Sequence, residues 1–203
     1  MYIPPAYRNE NPADIRKFLE ENAFGILVST GPLGPMATHL PLELVEKGDQ
    51  TLLLRGHFAR ANPQWRHIAE GDEVLCIFNG PHAYVSSSWY VEEEVPTWNY
   101  MAVHLKGAYR TQTEEELWEA LHALVDKYES DSEKPVSLHQ MSRATLAQVR
   151  GIVGFEIRVT RLDAAFKLSQ GRTQDHPKII KELQARGGSS NAIAQAMKDQ
   201  SGT

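Results

Sequence analysis

The chain has little cysteine: Cys76 is the only one among 203 residues. A single cysteine excludes an intrachain disulfide, and its place in an apolar run at residues 74–78 is typical of a small core side chain. It also excludes zinc centres built from several thiolates. The eight histidines are scattered, and none is paired at the i, i+4 spacing that sets two ligands on one helix face. We therefore predict no metal site.

Basic residues are in the minority, with 21 Lys and Arg against 26 Asp and Glu and a formal net charge of −5. Neutralising nucleic-acid phosphates requires clustered Lys and Arg, so this balance argues against a broad DNA-binding or RNA-binding surface. No stretch has the apolar length of a membrane span, and the first ten residues lack an apolar run of the signal-peptide type. We expect no membrane association and a cytoplasmic location.

The motifs of several enzyme classes are also absent. The sequence contains no G-x-S-x-G nucleophile elbow, no H-E-x-x-H pattern and no Walker loop G-x-x-x-x-G-K-[ST]. The motifs therefore supply no catalytic residue. If the protein is an enzyme, His39 or His57 is the best candidate for a general acid or base.

What the chain does contain is a series of short apolar segments separated by turn residues. Residues 24–29 and 152–160 have strand patterns, and residues 74–78 and 83–90 predict two further strands joined by a turn at N-G-P-H. Few helices lie between these segments, which favours antiparallel pairing over a doubly wound parallel sheet. We predict an α+β fold: a barrel of mainly antiparallel strands with peripheral helices.

Two helical segments close the chain, at about residues 177–185 and 191–198, separated by R-G-G-S-S. They could form a helix-turn-helix, but the second segment carries Lys198 as its only cation. A recognition helix normally lies among several phosphate-contacting cations. We interpret residues 1–173 as a barrel domain and 174–203 as a C-terminal helical hairpin packed on the barrel or on a dimer.

The stretch R-G-H-F-A-R-A-N-P-Q at residues 55–64 joins a strand to a short helix. Asn62 and Pro63 are a typical helix start, and Arg60 precedes them. A cation beside unpaired backbone N–H groups suits a phosphate. Taken alone, the stretch is better interpreted as a capped strand-to-helix connection with a solvated Arg60.

Other polar residues recur within apolar, strand-rich surroundings. Each one singly suits a turn, a cap or an exposed strand position. Together they suit a planar, anionic ligand with many hydrogen-bonding edges, because the set combines hydroxyls, amides, cations and one indole ring. The set is Thr38, His39, His57, Arg60, Asn62, Thr97, Trp98, Asn99, Lys167, Gln170 and Arg172.

Four short segments carry a family resemblance: T-H-L-P from Thr38, G-H-x-A-R-A-N-P from Gly56, V-P-T-W-N-Y from Val95 and K-L-S-Q from Lys167. In this order and spacing they resemble the PaiB-type family, described as FMN-binding negative transcriptional regulators of protease synthesis and sporulation genes. The resemblance covers nearly the whole chain. It implies the split β-barrel fold shared with pyridoxamine-phosphate oxidases and flavin reductases.

The resemblance also implies a cofactor, FMN, and a homodimer with flavin at the subunit interface. His57, Arg60 and Asn62 would hold the phosphate, with Thr38 and His39 along the neighbouring strand. The V-P-T-W-N-Y and K-L-S-Q segments would supply pocket or interface residues. Relatives usually have Asn where this chain has Gly171, so a side-chain contact at that position is lost here.

Three functional hypotheses follow. The first is a flavin-binding regulator of the PaiB type, for which DNA contact is implied by resemblance and not supported by charge. The second is an FMN-dependent oxidoreductase, in which the protein holds and tunes the flavin. The third is a barrel that serves as a structural dimer or carries another ligand.

Overall fold

The structure is a computed structural model and describes residues 1–32, 34–48 and 51–201. These residues form five α-helices and seven strands. The helices are α1 (Pro12–Glu21), α2 (Glu114–Glu129), α3 (Arg143–Leu146), α4 (His176–Arg186) and α5 (Gly188–Ser201). The strands are β1 (Phe24–Gly31), β2 (Gly34–Pro41), β3 (Glu43–Glu46), β4 (Leu52–Ala59), β5 (Glu73–Val85), β6 (Thr97–Thr111) and β7 (Ile152–Lys167).

The strands are hydrogen-bonded side by side in the order β2-β1-β5-β6-β7-β4-β3. The pairs β1–β2, β1–β5, β3–β4 and β4–β7 are antiparallel. Pro41 ends β2, which is an end strand of the order, as its missing N–H predicts. The β4–β7 register places His57 opposite Gly154. The predicted α+β fold with antiparallel strands is confirmed.

By contacts, the chain divides into two compact units. The first unit comprises residues 1–22, 78–104 and those from 163 onward. Its buried side chains include Phe18 of α1, Ile179 and Leu183 of α4, and Ile193 and Met197 of α5. The predicted C-terminal pair of helices is thus present, and each helix buries an apolar face within this unit. The predicted domain boundary after residue 173 stays a prediction.

The second unit comprises residues 23–77 and 105–162. Its core contains three aromatic rings, with the Phe155 ring centroid 4.9 Å from that of Phe58 and 5.6 Å from that of Tyr109. Gly56 of the G-H-x-A-R motif lies against this cluster, because a Cβ added there would be 2.7 Å from Phe155 Cζ. The glycine therefore allows β4 to approach the Phe155 ring.

The helix starts follow the sequence signals. Asn11 accepts a hydrogen bond from the Ala13 N–H at the start of α1. Thr113 and Glu116 form a capping box at the start of α2, in which each side chain accepts from the other residue's backbone N–H. No helix in the described part of the chain is long and apolar enough to cross a membrane.

The predicted turn at N-G-P-H is wrong, because β5 runs unbroken from Glu73 to Val85. Gly80 serves close packing instead of a turn, since an added Cβ would lie 2.3 Å from Phe18 Cε2. β7 is also longer than predicted: it continues to Lys167, so the K-L-S-Q motif begins at its end.

Candidate functional site

In the second unit, Thr38 and Asn62 join one hydrogen-bond network around Gln64. The Asn62 amide donates to Thr38 Oγ1 at 2.8 Å, and this hydroxyl donates to Gln64 Oε1 at 2.5 Å. The Gln64 amide donates to Ser29 Oγ at 2.9 Å, and Gln64 is fully buried. Thr38 and Asn62 thus position the loop before the Pro63–His67 turn of 3₁₀ helix. No sequence pattern predicted that the polar side chain of Gln64 would be buried.

Arg60 is held by the start of β7. Its Nε donates to the Arg150 carbonyl at 2.7 Å and its Nη2 to the Ile152 carbonyl at 2.8 Å. Its backbone N–H donates to the Gly151 carbonyl at 2.7 Å. These bonds fix the direction of the guanidinium group before any ligand binds.

Arg60 lines a cleft of about 650 Å³ in the second unit. This volume lies in the range of small-molecule sites, roughly 300–1,000 Å³. Hydroxyl, cationic, acidic and aromatic side chains share the lining. The polar and aromatic lining residues include Arg60, Trp65, Gln112, Thr113, Glu114 and Arg150.

Gln112 is a buried polar residue of this cleft lining, with 9% of its surface exposed. Neither its amide oxygen nor its amide nitrogen has a hydrogen-bond partner within the described residues. Its amide oxygen lies close to Gly154, where an added Cβ would be 2.4 Å away. No sequence pattern singles out Gln112, because a strand-end glutamine normally faces solvent.

The two candidate histidines have different surroundings. His39 is exposed, and its ring stacks on the exposed Phe24 ring with the centroids 6.2 Å apart. His57 is half-buried, and burial lowers its pKa, which favours the neutral imidazole. It lines a small cavity of about 180 Å³ together with Gly56 and the apolar face of α2.

An ion-pair network joins α2 to β6 and β7 within the second unit. The Arg110 guanidinium donates to both Glu116 carboxylate oxygens, at 2.8 and 2.9 Å, and to Glu156 at 3.1 Å. Arg55 Nε donates to the other Glu156 oxygen at 3.3 Å. The Arg110 hydrogen bonds lower the pKa of Glu116 to about 2. Strand alternation predicts Glu156 on an outward face; here it is buried under this network.

In the first unit, Asn99 pairs with Ser169 of the K-L-S-Q motif. The Asn99 amide donates to Ser169 Oγ at 2.9 Å, and that hydroxyl donates to Asn99 Oδ1 at 3.1 Å. Ser169 has a φ of 62°, in the left-handed region. Asn99 is fully buried, so its role in this structure is to hold the turn.

Lys167 and Gln170 make contacts within the same unit. Lys167 Nζ donates to Thr97 Oγ1 at 2.5 Å and lies 5.5 Å from the centre of the Tyr7 ring. The Gln170 amide donates to the Phe166 carbonyl at 2.5 Å and its oxygen accepts from the Leu168 N–H at 2.9 Å. The structure thus joins the T-W-N and K-L-S-Q segments through Thr97 and Lys167.

Arg172 and Trp98 complete the predicted set in the first unit. Arg172 forms an ion pair with Glu94, which lies between β5 and β6. The Trp98 ring is 55% exposed, with its centroid 6.0 Å from His82 and 6.1 Å from Tyr84. These three rings form an exposed aromatic cluster that suits contact with a planar or apolar partner.

The predicted residues fall into two groups, one in each unit. Within the described residues, no group of three His, Cys, Asp or Glu side chains is placed to hold a metal ion. The available chemistry is anion binding, hydrogen bonding to polar edges and aromatic contact.

The comparison that decides the family is a match between residues 1–161 and the family described as "Putative FMN-binding domain". The chain belongs to this FMN-binding family. The PaiB-type resemblance is confirmed, because the protein is 43% identical over 202 residues to the protease synthase and sporulation protein PAI 2 of Bacillus subtilis. That match covers 98% of this chain and 97% of the relative.

Other relatives and structural neighbours of this chain are more distant. An uncharacterised protein of Emericella nidulans is 31% identical over 212 residues, with 84% of each chain covered. Among solved structures, the FAD and heme binding protein from Mycobacterium smegmatis matches with a TM-score of 0.61 at 14% identity, covering 79% of this chain and 73% of that one. The flavocytochrome Anf3 from Azotobacter vinelandii matches with a TM-score of 0.59 at 11% identity, and the match covers 79% of this chain and 69% of that one. These two structures show the shared fold.

FMN, the expected cofactor, is the cofactor of the family. FMN carries a phosphate, a chain of hydroxyls and a planar ring system with donors and acceptors on its edge. The cleft beside Arg60 offers cations, hydroxyls and an unpartnered amide within a suitable volume. The donor set of this chain therefore fits the cofactor.

Proposed function

We propose that this protein is an FMN-binding negative regulator of transcription of the PaiB type, acting in the cytoplasm as a homodimer. The observation that carries the proposal is the 43% identity to PAI 2 across 98% of this chain. That similarity extends past the family match, which ends at residue 161, and so includes α4 and α5. The name of PAI 2 supplies the process, protease synthesis and sporulation.

Of the residues predicted from the motifs to hold FMN, Arg60 lines the larger cleft and His57 lines the small cavity beside α2. Arg60 supplies the phosphate charge, supported by its position at the cleft and its fixed guanidinium group. His39 and His57 lie on β2 and β4, and burial lowers the pKa of His57, which favours the neutral imidazole. When bound, the flavin supplies one- or two-electron chemistry. Thr38 and Asn62 support this site by positioning the Arg60 loop.

A homodimer with flavin at the subunit interface would also use the first unit. The exposed Trp98 cluster offers aromatic surface and Lys167 offers positive charge, whereas the charge of Arg172 is paired with Glu94. Exposed aromatic surface bordered by polar residues is typical of interaction sites. Sedimentation velocity should give the mass of a dimer, and Trp98→Ala should shift the equilibrium toward monomer. A monomeric wild type would refute the dimer.

FMN binding is tested by titration and by one matched pair of variants. The purified protein should quench FMN fluorescence, and Arg60→Ala should weaken binding at least tenfold, as loss of a charge-assisted phosphate contact does. Arg158→Ala is the control, since Arg158 is exposed on β7 and lies outside the cleft lining. Protein that neither carries nor binds FMN would refute the proposal.

Regulation is tested separately from flavin binding. A mobility shift on promoter DNA at low and high salt asks whether the dimer contacts DNA directly, and a reporter assay in a deletion strain asks whether it represses. With a net charge of −5, we expect weak DNA binding by this protein alone and repression that needs a further partner. Bleaching of bound FMN by NADH or NADPH without air would instead assign the oxidoreductase function.

A further inference from the structure

We propose that the cleft beside Arg60 is a nucleotide site in which Gln112 reads the edge of the base or flavin ring. The cleft lies wholly within the second unit and has a volume of about 650 Å³. Gln112 belongs to none of the four motifs and is a new candidate ligand contact.

The side-chain amide of Gln112 is buried and has no hydrogen-bond partner within the described residues. Leaving a buried amide without partners is destabilising, and such groups are few in native proteins, so each one calls for an explanation. An amide presents one donor and one acceptor side by side, which is how glutamine and asparagine pair with a base edge. Both amide atoms are covered in this state, so pairing requires rotation of the side chain toward the cleft.

The charges around the cleft match the rest of a nucleotide. Arg60 and Arg150 supply two positive charges for a phosphate, against one acidic residue, Glu114. A carboxylate commonly accepts hydrogen bonds from sugar hydroxyls, as in dinucleotide sites. The Trp65 indole ring offers a stacking surface for a planar base. Each part of a mononucleotide thus has a partner of matching chemistry.

Glycine at position 154 leaves room for the Gln112 side chain. A Cβ on residue 154 would lie 2.4 Å from the Gln112 amide oxygen and 2.8 Å from Leu117 Cδ1. Leu117 lines the same cleft from α2. The Gln112 amide therefore occupies a space that only glycine at 154 leaves open.

The same chemistry has two sources: FMN itself, or a second nucleotide such as a purine or pyrimidine monophosphate. If FMN is the ligand, the inference rests on the proposed function and adds Gln112 to its site. If another nucleotide is the ligand, the cleft is an effector site. The probes below separate these cases.

The central test compares Gln112→Met with Gln148→Met. Methionine is close in size to glutamine and removes the amide, and Gln148 is exposed and outside the cleft lining. Affinities for FMN, AMP and UMP are measured by calorimetry, with FMN also by fluorescence. Gln112→Met should raise the Kd of the binding nucleotide about tenfold or more. The same variant without ligand should melt at the wild-type temperature or above, because it loses a buried unpartnered amide.

Arg150→Gln gives a second test that leaves Gln112 intact. Wild type should prefer FMN to riboflavin, or AMP to adenosine, because the phosphate adds a charge-assisted contact. In Arg150→Gln, the ratio of the two affinities should be at least fivefold smaller than in wild type.

The outcomes separate the two proposals. FMN binding that Gln112→Met weakens supports both, and AMP or UMP binding that it weakens supports the cleft as an effector site. FMN binding unchanged in Gln112→Met and Arg150→Gln overturns this inference and leaves the proposed function standing. Absence of FMN binding overturns the proposed function, and absence of all nucleotide binding overturns both.

Discussion

The Asn99 carboxamide and the Ser169 hydroxyl exchange two hydrogen bonds, of 2.9 and 3.1 Å, within the first unit. Ser169 is the only non-glycine residue with a positive φ in the described part of the chain. That conformation costs a non-glycine residue about 1–2 kcal/mol. The pair therefore holds the K-L-S-Q turn in a shape that its local backbone preference opposes.

Two substitutions of Ser169 separate the hydrogen bonds from the backbone strain. Ser169→Ala should lower the free energy of unfolding by about 1–3 kcal/mol, because buried Asn99 loses its partner. Ser169→Gly loses the same bonds but tolerates the positive φ, so its loss should be smaller by about 1 kcal/mol. Urea denaturation measures both, and equal losses would argue against strain at Ser169.

Gly56→Ala should lower the free energy of unfolding by about 1–3 kcal/mol, the usual cost of overpacking a core. The added Cβ would lie 2.7 Å from the Phe155 ring and 3.1 Å from the Pro41 carbonyl. Gly151→Ala is the control, since nothing lies within 4 Å of its added Cβ. Denaturation midpoints check the difference. Restoration of part of the loss by Phe155→Leu would identify the ring as the cause.

Glu116 should contribute to stability in a pH-dependent way. Arg110 lowers its pKa in the folded protein to about 2, from an ordinary 4.5. A lowered pKa means that the contribution is complete above about pH 4.5 and is lost as the pH falls toward 2. The difference in urea midpoint between wild type and Glu116→Gln should therefore shrink across that window. Glu115→Gln, which removes an exposed carboxylate from the same turn of α2, is the matched control.

Cys76 should be unreactive in the folded protein. It is fully buried, and burial raises the pKa of its thiol to about 12, so almost no thiolate forms at pH 8. We expect one thiol to react with DTNB in denaturant and none in native buffer within minutes. Rapid reaction of the native protein would show that β5 opens locally.

The motifs predicted the fold and the location of the Arg60 loop because they combine local signals that act over a few residues. Asn62 before Pro63 is such a signal, and Asn62 does accept a hydrogen bond from the Gln64 N–H, at 2.9 Å. Four motifs in order then identified the family. The residue types alone could not show that Thr38 and Asn62 bond to one another.

What the sequence could not predict depends on contacts distant along the chain. The sequence around Gly80 predicts a turn, but in the structure this glycine packs against the Phe18 ring. Gln64 and Gln112 are buried polar residues, and their burial follows from packing against strands far away in sequence. The Gln64 side chain has hydrogen-bond partners and the Gln112 side chain has none within the described residues, a difference that no local pattern encodes.

The order of segments in the two units has a consequence for synthesis on the ribosome. All residues of the second unit have been translated by residue 162, whereas the first unit needs residues from 163 onward. Ile193 and Met197, near the end of the chain, are fully buried in the first unit. Domains generally fold as units while the chain emerges. The first unit can therefore complete its core only after residues 193 and 197 have been made, and residues 1–22 wait longest for their partners.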